Sequence, residues 1–366
     1  MDFRYHTEHD DLRASLRGFL HQTAPAARVR EVAAGDGCDI SLWRRLCTEL
    51  ELPGLHLPEQ YAGAGGSLVE AAIVFEELGR ALTPVPMAAT VFAIEAVLRL
   101  GDERQRAAIL PALLSGERVA TLAAAGPDAL DPARVTVRAD RHGDGRADLS
   151  GEIAPVLHGH VAGLFVVPAM AGTQVALYLV ADNDPGVTVD RLPSFDTTRP
   201  VARLRMAHAP AEQLAAGPPD AIERVLDTAR VLLSAEMLGG AEACLAMAVE
   251  YACSREQFDR PIGSFQAVKH SCADMMIEID ATRAAVMFAA MSAGDPDELR
   301  ITAPLVKAQA ADTFTLCAGA AFQVHGGIAF TWEHDMHLYF RRAKTTEALF
   351  GSSAHHRNLL ADRVGL

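Results

Sequence analysis
The sequence predicts a mixed α+β fold in which helices, a run of short strands and a second set of helices follow in that order. Three observations carry this. From Asp10 to about Gly116 apolar residues recur at three- and four-residue intervals, the period of a helix with one buried face. Between 134 and 209 short β-branched or alternating runs are separated by turn residues. From Pro219 onward helical periodicity returns in long stretches. The changes in pattern divide the chain into residues 1–118, 119–215 and 216–366, read as a helical domain, a β-domain and a helical bundle.

Taken in order, Leu12, Leu16, Phe19 and Leu20 mark the first helical stripe. Pro53 to Gly66 is a Gly/Pro-rich connector. A helix over 67–82 follows, with Ser67 as N-cap and Glu70 at the capping-box position. Leu100-Gly101-Asp102 ends another helix, and Ile109-Leu110-Pro111 starts a short one closing at Gly116. Six short antiparallel strands are expected at 134–139, 147–153, 161–167, 175–180, 187–192 and 201–206, punctuated by Asp144-Gly145 and Asp184-Pro185-Gly186. That spacing suggests a small barrel or sandwich. In the last third Ile222, Val225, Leu226, Ala229 and Leu233 form one stripe. Between Val231 and Val249 only Ser234, Glu236 and Glu242 interrupt an apolar or small-residue run. A helix apolar nearly all round belongs inside a bundle or an oligomer. Further helices read at 267–291, 301–322, 333–349 and 353–364.

Half of the 366 residues are hydrophobic, and the net charge is -14. No basic stripe exists to displace counterions from a phosphate backbone, which argues against a nucleic-acid partner. An anionic ligand must be held by local arginines against the overall field. The six cysteines are scattered without a C-x-x-C pair and read as free thiols rather than metal ligands. His325, His334, His337, His355 and His356 offer no convincing ligand set, so no metal site is expected. The N-terminus has no apolar signal core and no run has the length of a membrane span, so a cytoplasmic location is expected.

The chemistry concentrates in S-R-E-Q-F-D-R-P-I-G-S-F-Q, residues 254–266, between two long apolar helices. Arg255, Gln257 and Arg260 lie in a connector whose helical continuation is broken by Pro261 and Gly263. A guanidinium at the mouth of a bundle suits a phosphate or pyrophosphate, because its fork gives two parallel charge-assisted hydrogen bonds. The alternative is an interhelical loop with a solvated charge.

In this α, β, α order the motifs resemble the acyl-CoA dehydrogenase family over essentially the whole chain. L-P-E-Q-Y-A-G-A-G-G-S-L-V-E with F-E-E-L-G-R, and L-P-A-L-L-S-G-E-R, look like its helical domain. The connector is similar to R-x-x-F-G-x-x-I-x-x-F-Q, with Asp259 at the glycine. Q-V-H-G-G-I-A-F and F-R-R-A-K resemble Q-x-x-G-G-x-G-(F/Y) and R-D-A-K. The resemblance implies a tetramer formed through the bundles, with FAD at a subunit interface. Arg255, Gln257 and Phe258 would contact the pyrophosphate and adenine end of a neighbour's FAD, with Ile262 and Phe265 against its adenosine half. Gln323, Gly326 and Gly327 would approach the same cofactor, although a glycine pair is also an ordinary helix end and turn. Arg230 matches an arginine near the substrate; its competing explanation is an ion pair, perhaps with Asp227.

The sequence also departs from that family. The family's reaction needs a carboxylate that removes the α-proton of an acyl thioester while flavin accepts a hydride from the β-carbon. The two positions that carry this carboxylate are here Ala229 and Phe350, so no catalytic base is expected in the chain. Where relatives place T-E-P-x-x-G-S-D and W-I-(T/S) to cradle the flavin ring, this chain has A-A-A-G-P-D-A-L from Ala123 and G-E-I-A-P-V-L-H-G from Gly151. The expected function is therefore one subunit of an α2β2 acyl-CoA dehydrogenase. A second dehydrogenase-like subunit would supply the base, the substrate would be a bulky steroid side-chain CoA thioester, and electron-transfer flavoprotein would be the acceptor. The segment R-L-P-S-F-D-T-T-R-P (191–200) also resembles that steroid-degrading branch. A homotetramer using another base, such as Glu347, and a non-enzymatic binding protein on the same fold are the alternatives.

Overall fold
The computed structural model describes residues 5–127, 129–215, 217 and 220–366. Six helices come first: α1 (Thr7–Thr23), α2 (Ala26–Ala34), α3 (Ile40–Thr48), α4 (Leu68–Arg80), α5 (Met87–Leu100) and α6 (Glu103–Leu114). The Ser67 capping box forms as expected: Ser67 Oγ accepts from the Val69 amide, and the Glu70 carboxylate accepts from the Ser67 amide. Pro111 does not start a helix but sits inside α6. That helix begins earlier because Asp102 and Gln105 cap it reciprocally, and burial of Leu110, Leu113 and Leu114 carries it past the missing amide.

The β-domain contains β1 (Ala120–Leu122), β2 (Arg138–Arg141), β3 (Arg146–Leu157), β4 (Leu164–Ala171), β5 (Gln174–Ala181), β6 (Val187–Leu192) and β7 (Val201–Gln213). The hydrogen-bonded path runs β4–β2–β3–β7–β5 and returns to β4, so it closes on itself as a small barrel. β6 pairs with β7 outside that ring. The purely antiparallel expectation fails at β4, which pairs in parallel with β1 and, at Arg138–Met170, with β2. β1 went unseen in the sequence because all three of its residues are buried, leaving no alternation to read.

The remaining helices are α7 (Ala221–Ser254), α8 (Gln266–Met291), α9 (Pro296–His325), α10 (Met336–Ala348) and α11 (Ser353–Val364). Expected helix α7 starts at Ala221; Pro219 lies outside the described residues. Among the described residues α7 is the one helix long and apolar enough to cross a membrane, and 83% of its most apolar stretch is buried inside the molecule. It is the central helix, touching α4, α5, α8 and α9. Gly79 of α4 and Gly239 of α7 allow this closeness: a Cβ on either would run into the carbonyl of Glu236 or Glu76 opposite.

Candidate functional site
The connector folds into a two-residue hairpin, β8 (Glu256–Gln257) against β9 (Arg260–Pro261). Its tip, Phe258 and Asp259, has positive φ at both positions (56° and 61°), as a tight hairpin turn of this hand requires. Aspartate tolerates that conformation better than most residues, so the departure from glycine at Asp259 leaves the turn intact. The connector returns against α7 at Gly263, where a Cβ would lie 2.9 Å from the Ala252 carbonyl.

Arg255, Gln257 and Phe258 are exposed, Phe258 at 86%. Gln257 donates to the Glu256 carbonyl (2.9 Å), and Arg260 stacks on Phe265, 4.1 Å from the ring centre. Phe258 meets the same Phe265 edge-on at 6.0 Å, while Ile262 and Phe265 are half-buried. Among the described residues the Arg255 guanidinium has no ion-pair partner, although acids outnumber bases in the chain.

The second group sits at the end of α9. Gln323 and Gly327 are exposed and Gly326 is half-buried. Gly326 adopts φ 65°, ψ -140°, a conformation open essentially to glycine alone. No atom lies within 4 Å of a Cβ built on Gly326 or Gly327, so the space before this turn is open. Tyr251, one turn before Arg255, stacks on His325, the last residue of α9, at 4.6 Å. The two groups of expected cofactor residues are thus at one end of the bundle.

Arg230 is elsewhere. It is buried and pairs with Asp227 at 2.5 Å; Asp227 also receives Arg363 at 2.9 Å. Its Nε is buried without a hydrogen-bond partner. Burial raises the Asp227 carboxyl above the ordinary carboxylate value, yet its oxygens are committed to these two arginines. The positions expected to lack a base, Ala229 and Phe350, are 0% and 1% exposed. The Phe350 ring lies edge-on to Phe92 at 5.7 Å, and Phe92 stacks on Phe75 at 6.1 Å. Lys307 donates to the carbonyls of Thr346, Glu347 and Gly351, fixing the turn that carries Phe350. Glu347 points away, its carboxylate 3.2 Å from Lys344 and 3.5 Å from the Thr315 hydroxyl.

A cluster that sequence reasoning missed fills the space between the three parts of the chain. Arg342 of α10 donates to Asp196 (2.6 Å), Glu236 (2.7 Å) and Thr198 (2.5 Å). Arg199 bonds Glu236 and Thr346. Burial pushes the Asp196 and Glu236 carboxyls up, but the two arginines overcome it and hold both below the usual range. The remaining cavity, bounded by Phe75, Met87, His158, Arg199 and Glu236, is about 20 Å³, room for about one water. The available signal was Arg342 standing where R-D-A-K has aspartate, because a buried arginine needs acids nearby.

A separate open cleft of about 450 Å³ lies in the β-domain between Ala123, Ala124, Ala125 and Pro127 on one side and Ile153, Ala154 and Pro155 on the other. These two walls are apolar, while Arg134 and Arg203 bring guanidinium groups to the lining. The Thr136 hydroxyl at the rim is already bonded to the Glu152 carbonyl (2.7 Å). The exposed loops at the bundle end suit an anionic dinucleotide tail.

Helical domain, β-barrel and bundle in this order define a flavoprotein dehydrogenase class. Residues 6–117 match the acyl-CoA dehydrogenase N-terminal domain and residues 216–365 the C-terminal domain. The chain is 38% identical to acyl-CoA dehydrogenase IpdE2 of Mycobacterium tuberculosis over 94% of its length and 93% of that protein's. It superposes on the ChsE4–ChsE5 complex from Mycobacterium tuberculosis with a TM-score of 0.91 and 30% identity, covering 100% of this chain and 99% of that one. A chain of the steroid acyl-CoA dehydrogenase Tcur3481–Tcur3483 gives 0.90 and 31%, covering 98% of each. The protein belongs to the acyl-CoA dehydrogenase family, FAD-dependent oxidoreductases acting on acyl-CoA thioesters.

Proposed function
We propose that the chain is the subunit without a base in an α2β2 acyl-CoA dehydrogenase, gripping the tail of an FAD whose ring and proton acceptor belong to a second dehydrogenase-like subunit. The observation that carries this is the interior at Ala229 and Phe350. Both positions are buried and apolar, and the Phe350 ring packs where a carboxylate would have to stand. No nearby acid substitutes. Asp196, Glu236 and Asp227 are engaged by arginines, and Glu347 faces Lys344. Asp196 and Glu236, held ionised by two arginines, are weak proton acceptors, and both Asp227 oxygens are committed to Arg230 and Arg363.

Arg255, Gln257, Phe258, Ile262, Phe265, Gln323, Gly326 and Gly327 would hold the pyrophosphate and adenosine end, and FAD would supply hydride acceptance there. Support comes from their convergence on one exposed face and from the unpaired Arg255. Arg230 Nε is the donor left for a substrate group. A bulky steroid thioester as substrate is supported by the likeness to the steroid acyl-CoA dehydrogenase Tcur3481–Tcur3483, and electron-transfer flavoprotein would take the electrons.

The test is purification of the chain alone and with a candidate dehydrogenase-like partner chain. The pair is expected to carry flavin and desaturate a steroid side-chain CoA thioester; the lone chain is expected to do neither. Full flavin and turnover from the lone chain would overturn the proposal.

A further inference from the structure
The two loops assigned to the cofactor tail come from helices far apart in sequence, yet a dinucleotide must find both at a fixed spacing. Their parent helices, α7 and α9, pack against each other, and a pair of stacked rings joins them at the end that carries the loops. Tyr251 stacks on His325 with ring centres 4.6 Å apart and planes at 26°. His334, just before α10, meets His325 edge-on at 4.6 Å. The column therefore joins α7, α9 and the lead-in to α10.

Both histidine rings are also held by nearby backbone. His325 is buried, and its Nδ1 donates to the Ala321 carbonyl at 2.8 Å, because a carbonyl can only accept. His334 Nδ1 accepts from the Met336 amide at 3.1 Å. The Arg255 amide donates to the Tyr251 carbonyl at 2.8 Å, so the connector leaves α7 one turn after the stacked ring. The glycine turn leaves α9 at the residue after His325. Movement of either loop relative to the other must slide or open this stack.

We propose that His325 is a positioning residue: by stacking on Tyr251 it fixes the separation of the Arg255 connector and the Gly326–Gly327 turn, so that both meet one anionic dinucleotide tail. The inference rests on the cofactor reading of these loops, but its first test does not. Hydrogen exchange of the lone chain is measured for wild type, His325→Ala and His325→Phe. Alanine removes the stack, and phenylalanine keeps a flat ring there. His325→Ala is expected to speed exchange at least severalfold in both loops, at residues 255–265 and 326–331, with α8 and the β-domain unchanged. His325→Phe is expected to restore protection. Faster exchange in one loop only, everywhere, or in neither would overturn the inference.

The second arm titrates FAD into the complex stripped of flavin. His325→Ala is expected to weaken FAD about fivefold, in line with the loss of one aromatic pair, and His325→Phe to recover most of it. Equal FAD affinity in all three complexes would sink the positioning role. A wild-type complex that takes up no FAD would instead sink the function proposed above while leaving the exchange result intact.

Discussion
Phe350 is buried at a turn of left-handed backbone. The residue sits at φ 58°, its amide bonded to the Ala125 carbonyl at 2.9 Å, with Gly351 at φ 116° behind it. Its ring closes the Phe75–Phe92 stack. Phe350→Ala is expected to cost about 3–5 kcal/mol, the range for emptying a buried phenyl site, read as a fall in the denaturant midpoint; a loss under about 1 kcal/mol would mean the site collapses freely. His356 gives a pH signature. It is buried with neither ring nitrogen hydrogen-bonded, and burial, then Lys307 and Arg230, push it down to about 2 from 6.5. The unfolded chain therefore takes up a proton that the folded one refuses. Stability is full above 6.5 and is lost as pH falls from there toward about 2. Glu95 adds a lower window. Burial raises its carboxyl, but His56 and Arg99 bring it to about 2, so its contribution is lost as pH falls from 4.5 toward that value. Urea unfolding at pH 7.5 and 5.5 separates the two, and His356→Leu is expected to shrink the difference, with buried His158 keeping part of it, while Glu95→Gln leaves it. At this scale the sequence shows that 229 and 350 are alanine and phenylalanine. It does not show what packs there, because Phe75, Phe92 and Phe350 meet across more than two hundred residues of chain.

Among the elements, α7 is the one on which the others depend. Gly79 and Gly239 let α4 and α7 touch backbone to backbone. Gly239→Ala forces the Glu76 carbonyl aside and is expected to destabilise by about 3 kcal/mol, at the upper end of overpacking costs; an unchanged melting temperature would contradict the close crossing. Ser67→Ala is expected to cost about 1 kcal/mol through the lost cap on α4. Elements with a strong local signature were legible: α11 and β6 have the bounds their periodicity indicates, and α4 has its cap. β2 lies four residues beyond the expected start at 134, and β1 was missed. β1 is settled by pairing with β4, a long-range contact that leaves no period in the sequence, and β2 by its register against β3.

Across the whole molecule, the cluster of Asp196, Arg199, Glu236 and Arg342 ties the loop before β7 to α7 and α10, under Phe75 and Met87 of the helical domain. Arg342→Met would leave Asp196 and Glu236 sharing one arginine in a buried site. The expected loss is about 3–5 kcal/mol, the cost of breaking a buried pair from one side, measured by chemical denaturation. The order of domains was legible because helical and strand periods differ. The packing that closes the interior was not, since four charged residues from three elements give no pattern along the chain. Division of labour between two subunits is tested most directly by flavin stoichiometry. Absorbance of bound FAD is measured against protein mass for the lone chain and for its complex with the candidate dehydrogenase-like partner chain. One FAD for each pair of unlike chains, with none on the lone chain, is the expected result; one FAD on every copy of the lone chain, with turnover, would contradict it.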